Sequence, residues 1–472
     1  MKIIILGAGQ VGSGLAEYLI NENNEIVVID NDIEKLEAMQ NRYDIQIVKG
    51  YGSHPKTLRD AGASNAELLV AVTDSDEINM LACQLGYSLY HIPQKIARIR
   101  NHEYLAESSI IFNNSAIPID HIIAPEQLIT KEIVNLIEYP GAIQIADFAQ
   151  ERIAIVAVKA YYGGPLVGYQ VGNLRNYLPN VPARIIGIFR QGRPLLTTAN
   201  TVIEAGDEIF FVSANGHIRN VMSGLQKIED QYKRIMIVGG NNIGKELAHA
   251  LTPRYNVKLI DTNLENASQL AEEFDKTNVE VYCSDPSNPD FLMEEHIDKI
   301  DLIVCVTDND ETNIMSALLA KKLGTKKSIV QISKFAYISL IQNDGIDVVI
   351  SPQEATISAL LTNMRHNGVE TVHSLRRGQA EGLEIKLYGD KKHSKVIGKK
   401  INEISLPNGV TIAAIYRDDE IFIANGDFEL KENDLVIFFV TEKRYVKELI
   451  KLTTPKATYF LNKSTENEAN NI

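Results

Sequence analysis

Short apolar runs rich in valine and isoleucine alternate with longer amphipathic stretches through residues 2–139. Ile3–Leu6, Ile26–Ile29, Ile45–Val48, Leu68–Val72, Ile96–Ile99 and Ile119–Ile123 are separated by segments such as Val11–Ile20 that carry helical spacing. Strands that are apolar on both faces, with helices between them, predict a parallel sheet covered on both sides. Around Pro140-Gly141 the texture changes. Ile153–Val158, Ala183–Phe189 and Ile209–Val212 follow one another closely, with turn signals at Gly163-Gly164-Pro165 and Gly206-Asp207. They predict a small β-rich or α+β domain that ends near Leu225.

The same order then recurs. Ile3-Ile4-Ile5-Leu6-Gly7-Ala8-Gly9-Gln10-Val11-Gly12 is matched by Ile235-Met236-Ile237-Val238-Gly239-Gly240-Asn241-Asn242-Ile243-Gly244. Leu68–Asn79 reappears as Leu302–Asn313, and Ile119-Asp120 to Pro125 as Ile346-Asp347 to Pro352. The small domains repeat too, with Ile188-Phe189-Arg190 against Ile415-Tyr416-Arg417. Likeness at a nearly constant offset over a whole domain means duplication. The expected fold class is α/β, with two tandem Rossmann-like parallel-sheet domains (1–139 and 232–367). Each is followed by a small α+β or β-rich domain (140–227 and 368–455), and 456–472 is expected to be a disordered tail, polar and non-periodic over 463–472.

Each module opens on a strand, a glycine-rich turn and a helix. In the first, Gly7 permits the tight turn, Gly9 lets backbone approach a pyrophosphate, and Gly12 allows close packing of helix on strand; the helix N-terminus supplies free N–H groups. Asp30 ends the second strand, where an acidic residue meets ribose hydroxyls. Because Asn31 and Asp32 follow rather than arginine, NAD(H) is favoured over NADP(H), and ATP or ADP fits the same ribose and phosphate contacts. Thr73 and Asp74 close the fourth strand at the ligand-binding edge of the sheet, and helix capping explains Asp74, Asp76 and Glu77 at less cost than a divalent cation. Alternation puts Arg98 and Arg100 on one face, toward a phosphate or a surface ion pair. In the second module Asn241 replaces the middle glycine while Asp261 keeps the ribose position, which predicts a site of altered preference.

Composition narrows the function. The formal charge of −14 and the scattered Lys and Arg argue against nucleic acid and anionic lipid as partners, so membrane association is expected to go through a protein. No stretch approaches the ~20 apolar residues of a membrane helix. Cys83, Cys283 and Cys305 lack metal-ligand spacing and are expected to be buried thiols. An NAD-dependent oxidoreductase, the alternative, needs a general acid or base beside the nicotinamide, and the ten histidines form no such grouping. Binding without catalysis is the better expectation.

Lys2–Gly12, Gly52–Pro55, Ala71–Thr73, Ile96–Arg100, Ile119–Leu128, Glu138–Ala142, Val158–Leu166, Lys233–Gly240 with Asn242–Gly244, and Val372–Gly378 resemble the regulator-of-potassium-conductance (RCK) family over nearly the whole chain. The order RCK-N, RCK-C, RCK-N, RCK-C in one chain resembles its tandem members. That resemblance implies a cytoplasmic regulatory subunit, peripheral at the inner face of the inner membrane, that self-associates into a tetrameric gating ring. The ring would sit beneath an integral-membrane potassium translocation subunit of the TrkH or TrkG type. Carried over by the resemblance, the first nucleotide site comprises Gly7, Ala8, Gly9, Gln10, Val11, Asp30, Thr73, Asp74 and Arg98, with Gly12 behind the turn. The second comprises Gly239, Gly240, Asn241, Asn242, Ile243, Asp261, Thr307 and Asp308. Asn241, and the absence of an arginine in Ser333-Lys334-Phe335, depart from the family pattern.

Overall fold

The computed structural model describes residues 1–20, 24–227, 229–334, 337, 345–365, 368–376, 378–456 and 459. Of the tail expected at 456–472 only Lys456 and Tyr459 are among these residues, and both are held: the Lys456 N–H donates to the His393 carbonyl at 3.0 Å and the Tyr459 hydroxyl to Glu432 at 2.6 Å. Strands β1 (Lys2–Leu6), β2 (Glu25–Asp30), β3 (Gln46–Lys49), β4 (Leu68–Ala71), β5 (Gln94–Arg98) and β6 (His121–Ile123) form a parallel sheet in the order β3-β2-β1-β4-β5-β6. The order reverses beside β1, and ligands of open α/β sheets bind in the crevice so formed. β1 and β4 are buried along almost their full length because helices cover both faces. The second module builds the same sheet from Val279–Cys283, Asn256–Asp261, Arg234–Val238, Leu302–Cys305, Lys327–Gln331 and Val348–Ile350.

The intervening segments form two antiparallel five-stranded sheets of matching order. One runs Arg193–Leu195, Ala183–Arg190, Glu208–Ala214, Ile153–Lys159, Ala142–Phe148; the other runs Glu420–Ile423, Val410–Arg417, Leu435–Val440, Ala380–Lys386, Val369–Leu375. The strand at Ala142–Phe148 is absent from the apolar runs expected in the sequence, because Gln144 and Asp147 interrupt its pattern.

Like pairs with like across the repeat. One compact unit holds Met1–Ile137 with Tyr232–Asn363, and a second holds Glu138–Gln231 with Met364–Ile472. In the first unit, the helix Gln10–Ile20 meets Pro352–Met364 so closely that a β-carbon on Gly14 would lie 2.4 Å from Gln353 Nε2. Gln94 Nε2 donates to the carbonyl of Asn363 at 2.8 Å. Burial first, and then the carboxylate of Glu354, push Glu132 up to about 7.

In the second unit one apolar cluster draws Phe148, Ile155, Phe210 and Val212 from one copy and Leu375, Ala414, Ile437 and Phe439 from the other. Phe439 packs over Gly187, where a β-carbon would lie 2.4 Å from its ring, and Phe148 packs over Gly382 at 2.6 Å. Polar contacts fix the register: the Ala149 N–H donates to Glu384 Oε2 at 2.8 Å, and Arg376 pairs with Glu208 at 2.8 Å.

Cys83 and Cys305 are buried, and burial pushes the Cys83 thiol up to about 12. Cys283 departs from expectation and is exposed. It ends the edge strand Val279–Cys283, which pairs with Asn256–Asp261 on one side and has no strand on the other.

Candidate nucleotide site

The first cradle begins where β1 stops. Gly7 has φ +111°, which an L side chain rarely adopts, and a β-carbon there would lie 3.0 Å from the Val72 carbonyl. Gly12 backs the turn: a β-carbon on it would come within 1.9 Å of the Gly7 carbonyl. Gly9 differs from both, because a β-carbon on it would meet nothing within 4 Å. It borders open space at the start of the helix Gln10–Ile20, where uncapped N–H groups and the positive end of the helix dipole favour an anion.

Asp30 braces this turn from β2. Its Oδ2 accepts from the Ala8 N–H at 2.6 Å and its Oδ1 from the Asp32 N–H at 2.9 Å, leaving each oxygen a further lone pair. Around these groups lies a cleft of about 300 Å³ lined by Gly7, Gly9, Asp30, Asn31, Lys35, Gly50, Tyr51, Gly52, Thr73, Asp74, Ser75 and Ile78, with apolar walls from Leu6, Ile29 and Val72.

Thus Gly7, Gly9, Asp30, Thr73 and Asp74 come together on one cleft, with Ala8 contributing its amide to the brace. Gln10, Val11, Gly12 and Arg98 are not among the lining residues. Val11 and Gly12 are buried in the helix's inner face. Arg98 ends β5 with its Nε buried and unpartnered beside Glu126, whose Oε2 is likewise unpartnered. Burial, and then the like charge of Arg100, hold the Arg98 guanidinium below the usual arginine range, with Glu126, Asp74 and Asp76 opposing. Arg100 donates instead to the carbonyl of Asp74.

The acidic cluster after β4 resolves into caps and clamps. Ser75, not Asp74, caps the helix Asp76–Tyr90, accepting from the Ile78 N–H at 3.2 Å. Asp76 is buried and accepts the Arg100 and Asn101 N–H groups at 2.9 and 2.8 Å, tying that helix to the loop after β5. Among the described residues no group of His, Cys, Asp and Glu is arranged to hold a metal ion.

Sequence reasoning missed two kinds of residue. Lys35 and Tyr51 line the cleft, and Tyr51 sits just past β3 at the carboxyl edge of the sheet, a position the crevice rule marks out. Asn79, fully buried, accepts from the Thr73 N–H at 3.0 Å and donates to the Arg98 carbonyl at 2.9 Å, fixing the ends of two strands at once. Asn313 does the same for Thr307 and Gln331, so recurrence of the asparagine in both copies was the available signal.

The second cradle is closed from within. Gly239 repeats the φ of +111°, and Asp261 Oδ2 accepts from the Gly240 N–H at 2.9 Å. Asn241, however, caps the helix Asn242–Leu251: its Oδ1 accepts from the Gly244 N–H at 3.1 Å, while its Nδ2 donates to the Val306 carbonyl at 2.7 Å and to Asp308 at 3.2 Å. Asn266 donates to Asp261 Oδ2 at 2.9 Å and to the Gly240 carbonyl at 3.0 Å. The side chain thus stands on the anion-facing end of the helix, and the carboxylate has lost acceptor capacity. Asn242 and Ile243 begin the helix, and Thr307 is held by Asn313, as Thr73 is by Asn79.

Fold and cradle together define a tandem nucleotide-fold protein of RCK type. The TrkA-N domain model matches residues 3–125 and 235–352, and the TrkA-C domain model matches 155–223 and 391–452. The Trk system potassium uptake protein TrkA of Vibrio alginolyticus is 50% identical over 461 residues, covering 98% of this chain and 100% of that protein. Its counterpart in Haemophilus influenzae is 49% identical over 459 residues, covering 97% and 100%. The chain belongs to the TrkA family of Trk system potassium uptake proteins. Among solved structures, the GsuK RCK domain is similar in fold, with a TM-score of 0.59 at 18% identity and 95% of each chain covered. The GsuK channel bound to NAD gives 0.58 at 18% identity, covering 96% of this chain and 78% of that one.

Among the described residues no helix is long and apolar enough to cross a membrane.

Proposed function

We propose that this chain is a cytoplasmic regulatory subunit of a potassium-uptake system, holding NAD(H) in its first cradle and controlling potassium flux through a membrane-embedded TrkH- or TrkG-type subunit. The observation that carries it is the open helix terminus beside Gly9, with Asp30 on the ribose side, in a chain whose relatives are named potassium uptake proteins. The N-terminus of the helix Gln10–Ile20 would hold the pyrophosphate of a dinucleotide, and the remaining acceptor capacity of Asp30 would hold a ribose diol. Thr73 and Asp74 line the same cleft. Lys35, on the same lip as Asp30, adds a cation that ATP or ADP can use, so the two nucleotide classes compete for one cradle.

Four chains in a ring would present four such cradles. Turning a 1:99 closed population into a 99:1 open one takes about 5.5 kcal/mol of differential binding, so roughly 1 kcal/mol per site is enough when several sites share the task. The family's names are those of uptake proteins and not of enzymes, which supports regulation over catalysis.

Calorimetric titration with NADH, NAD, ATP and ADP on the full chain and on Asp30→Ala and Asp261→Ala tests this. The Asp30 change is expected to abolish the tighter site and the Asp261 change to leave it. Binding that survives Asp30→Ala unaltered would remove the first cradle as the input. Substrate-dependent nicotinamide oxidation would instead favour an oxidoreductase.

A further inference from the structure

We propose that the first antiparallel-sheet domain docks, through a tyrosine-rich stretch that itself carries no acidic residue, on an anionic lipid surface. The whole-chain charge of −14 opposes such attraction, but the charge is unevenly spread. From Arg152 through Ile203 there is no Asp or Glu, while Arg152, Lys159, Arg175, Arg184, Arg190 and Arg193 all fall within it. Arg184 and Arg190 are spent internally, on the carbonyl of Ala424 and on the carboxylates of Asp207 and Glu204, the latter exposed just past Val202. Lys159, Arg175 and Arg193 remain exposed.

The same stretch presents Tyr161, Tyr162, Tyr169, Tyr177, Leu196 and Val202 to solvent, with Tyr162 93% and Leu196 90% exposed. Their segments are laced together. The Tyr161 and Leu166 N–H groups donate to the carbonyls of Leu225 and Gly224, and the Tyr177 ring lies 3.2 Å from where a β-carbon on Gly224 would stand. The Ile203 N–H donates to the Tyr169 carbonyl at 3.0 Å, and Gln170 pairs with Val202. Tyrosines with one wet end, a protruding leucine and an excess of exposed cations suit the headgroup layer of an anionic bilayer.

The second copy serves as an internal control. The bridge Gln170 to Val202 has its equivalent in Lys400 to Glu429, so Val202 corresponds to Glu429 and Tyr169 to the exposed Lys399. Among the described residues that domain exposes no large hydrophobic side chain. The same fold therefore does not require the tyrosine face, and burial within the molecule does not account for it.

The test is co-sedimentation of the full chain with protein-free vesicles of phosphatidylglycerol and phosphatidylethanolamine, and with vesicles of phosphatidylcholine alone. Binding to the anionic vesicles only is expected, weakened roughly fivefold for each cation removed, so that Arg175→Glu with Arg193→Glu loses it. Tyr162→Ser with Leu196→Ser is expected to lose it too, and Lys399→Glu to retain it; circular dichroism checks that each variant is folded. Failure to bind anionic vesicles, or binding that survives both double variants, would overturn the proposal. If the chain sediments only with vesicles containing a potassium translocation protein, the face recognises protein and the lipid assignment is wrong. None of these outcomes depends on nucleotide binding.

Discussion

The two cradles share their backbone and differ in what fills it. Both have the positive-φ glycine after the first strand, the acidic brace from the second and the buried asparagine behind the fourth. Two residues separate them in kind: at the middle of the turn Gly9 faces open space, whereas Asn241 spends its amide on Gly244, Val306 and Asp308, and Asn266, where the first copy has Lys35, occupies the Asp261 carboxylate. A scaffold duplicated whole can keep its architecture while one copy gives up its ligand contacts to satisfy itself. A glycine motif therefore has two separable parts, one that builds the turn and one that admits a guest.

The largest expected effect concerns what the cradles share. Alanine at Gly12 or at Gly244 would drive a β-carbon within 1.9 or 1.8 Å of a carbonyl oxygen, and either is expected to cost about 3 kcal/mol or more in chemical denaturation. A mild effect at one of them would show that the two turns are not built alike.

Next comes the turn position at which they differ. Gly9→Asn, imitating the second copy, is expected to weaken nucleotide binding at the first cradle by at least roughly tenfold with little loss of stability, since nothing crowds that position. The reciprocal Asn241→Gly costs only a few tenths of a kcal/mol as a cap change and is expected to strengthen binding at the second cradle. Titration of both variants decides whether the asparagine is what closes the site.

The smallest effect lies between the cradles. Glu132 has its pKa raised from 4.5 to about 7, so its contribution to stability is fully present below pH 4.5 and is lost as pH rises through 7. Glu132→Gln is expected to be more stable than the parent at pH 8 and equal to it at acid pH, read as the difference in melting temperature. Equal gains at both would assign the effect to packing.

Much of this was legible in the chain. The tandem parallel sheets followed from alternating apolar runs and helical stretches, and Gly7, Gly9, Asp30 and Thr73 stood out because turn chemistry and the switch-point rule name residue types at fixed places. Arg98 did not follow, since alternation predicts a face but not that its Nε will be buried without a partner, away from the residues lining the cleft. Cys283 was misjudged because an apolar run does not show whether its strand lies at an edge. Nor did tandem order reveal that each sheet packs with its like from the other copy, which depends on surfaces far apart in sequence.

That pairing has a lock-and-key asymmetry. By strand register Val212 and Ile155 correspond to Phe439 and Gly382, Gly187 to Ala414, and Phe148 to Leu375. By the symmetry of the repeat the counterpart of Phe439 over Gly187 is the smaller Val212 with Ala414, and that of Phe148 over Gly382 is Leu375 with Ile155, all four of these residues belonging to the shared apolar cluster. Two first copies brought together would force Phe148 onto Ile155 and leave a hole above Gly187; two second copies would crowd Phe439 against Ala414. Once the repeats were joined in one chain, their cores could become complementary rather than identical, so that each domain recognises its own covalent companion and discriminates against strangers of the same fold.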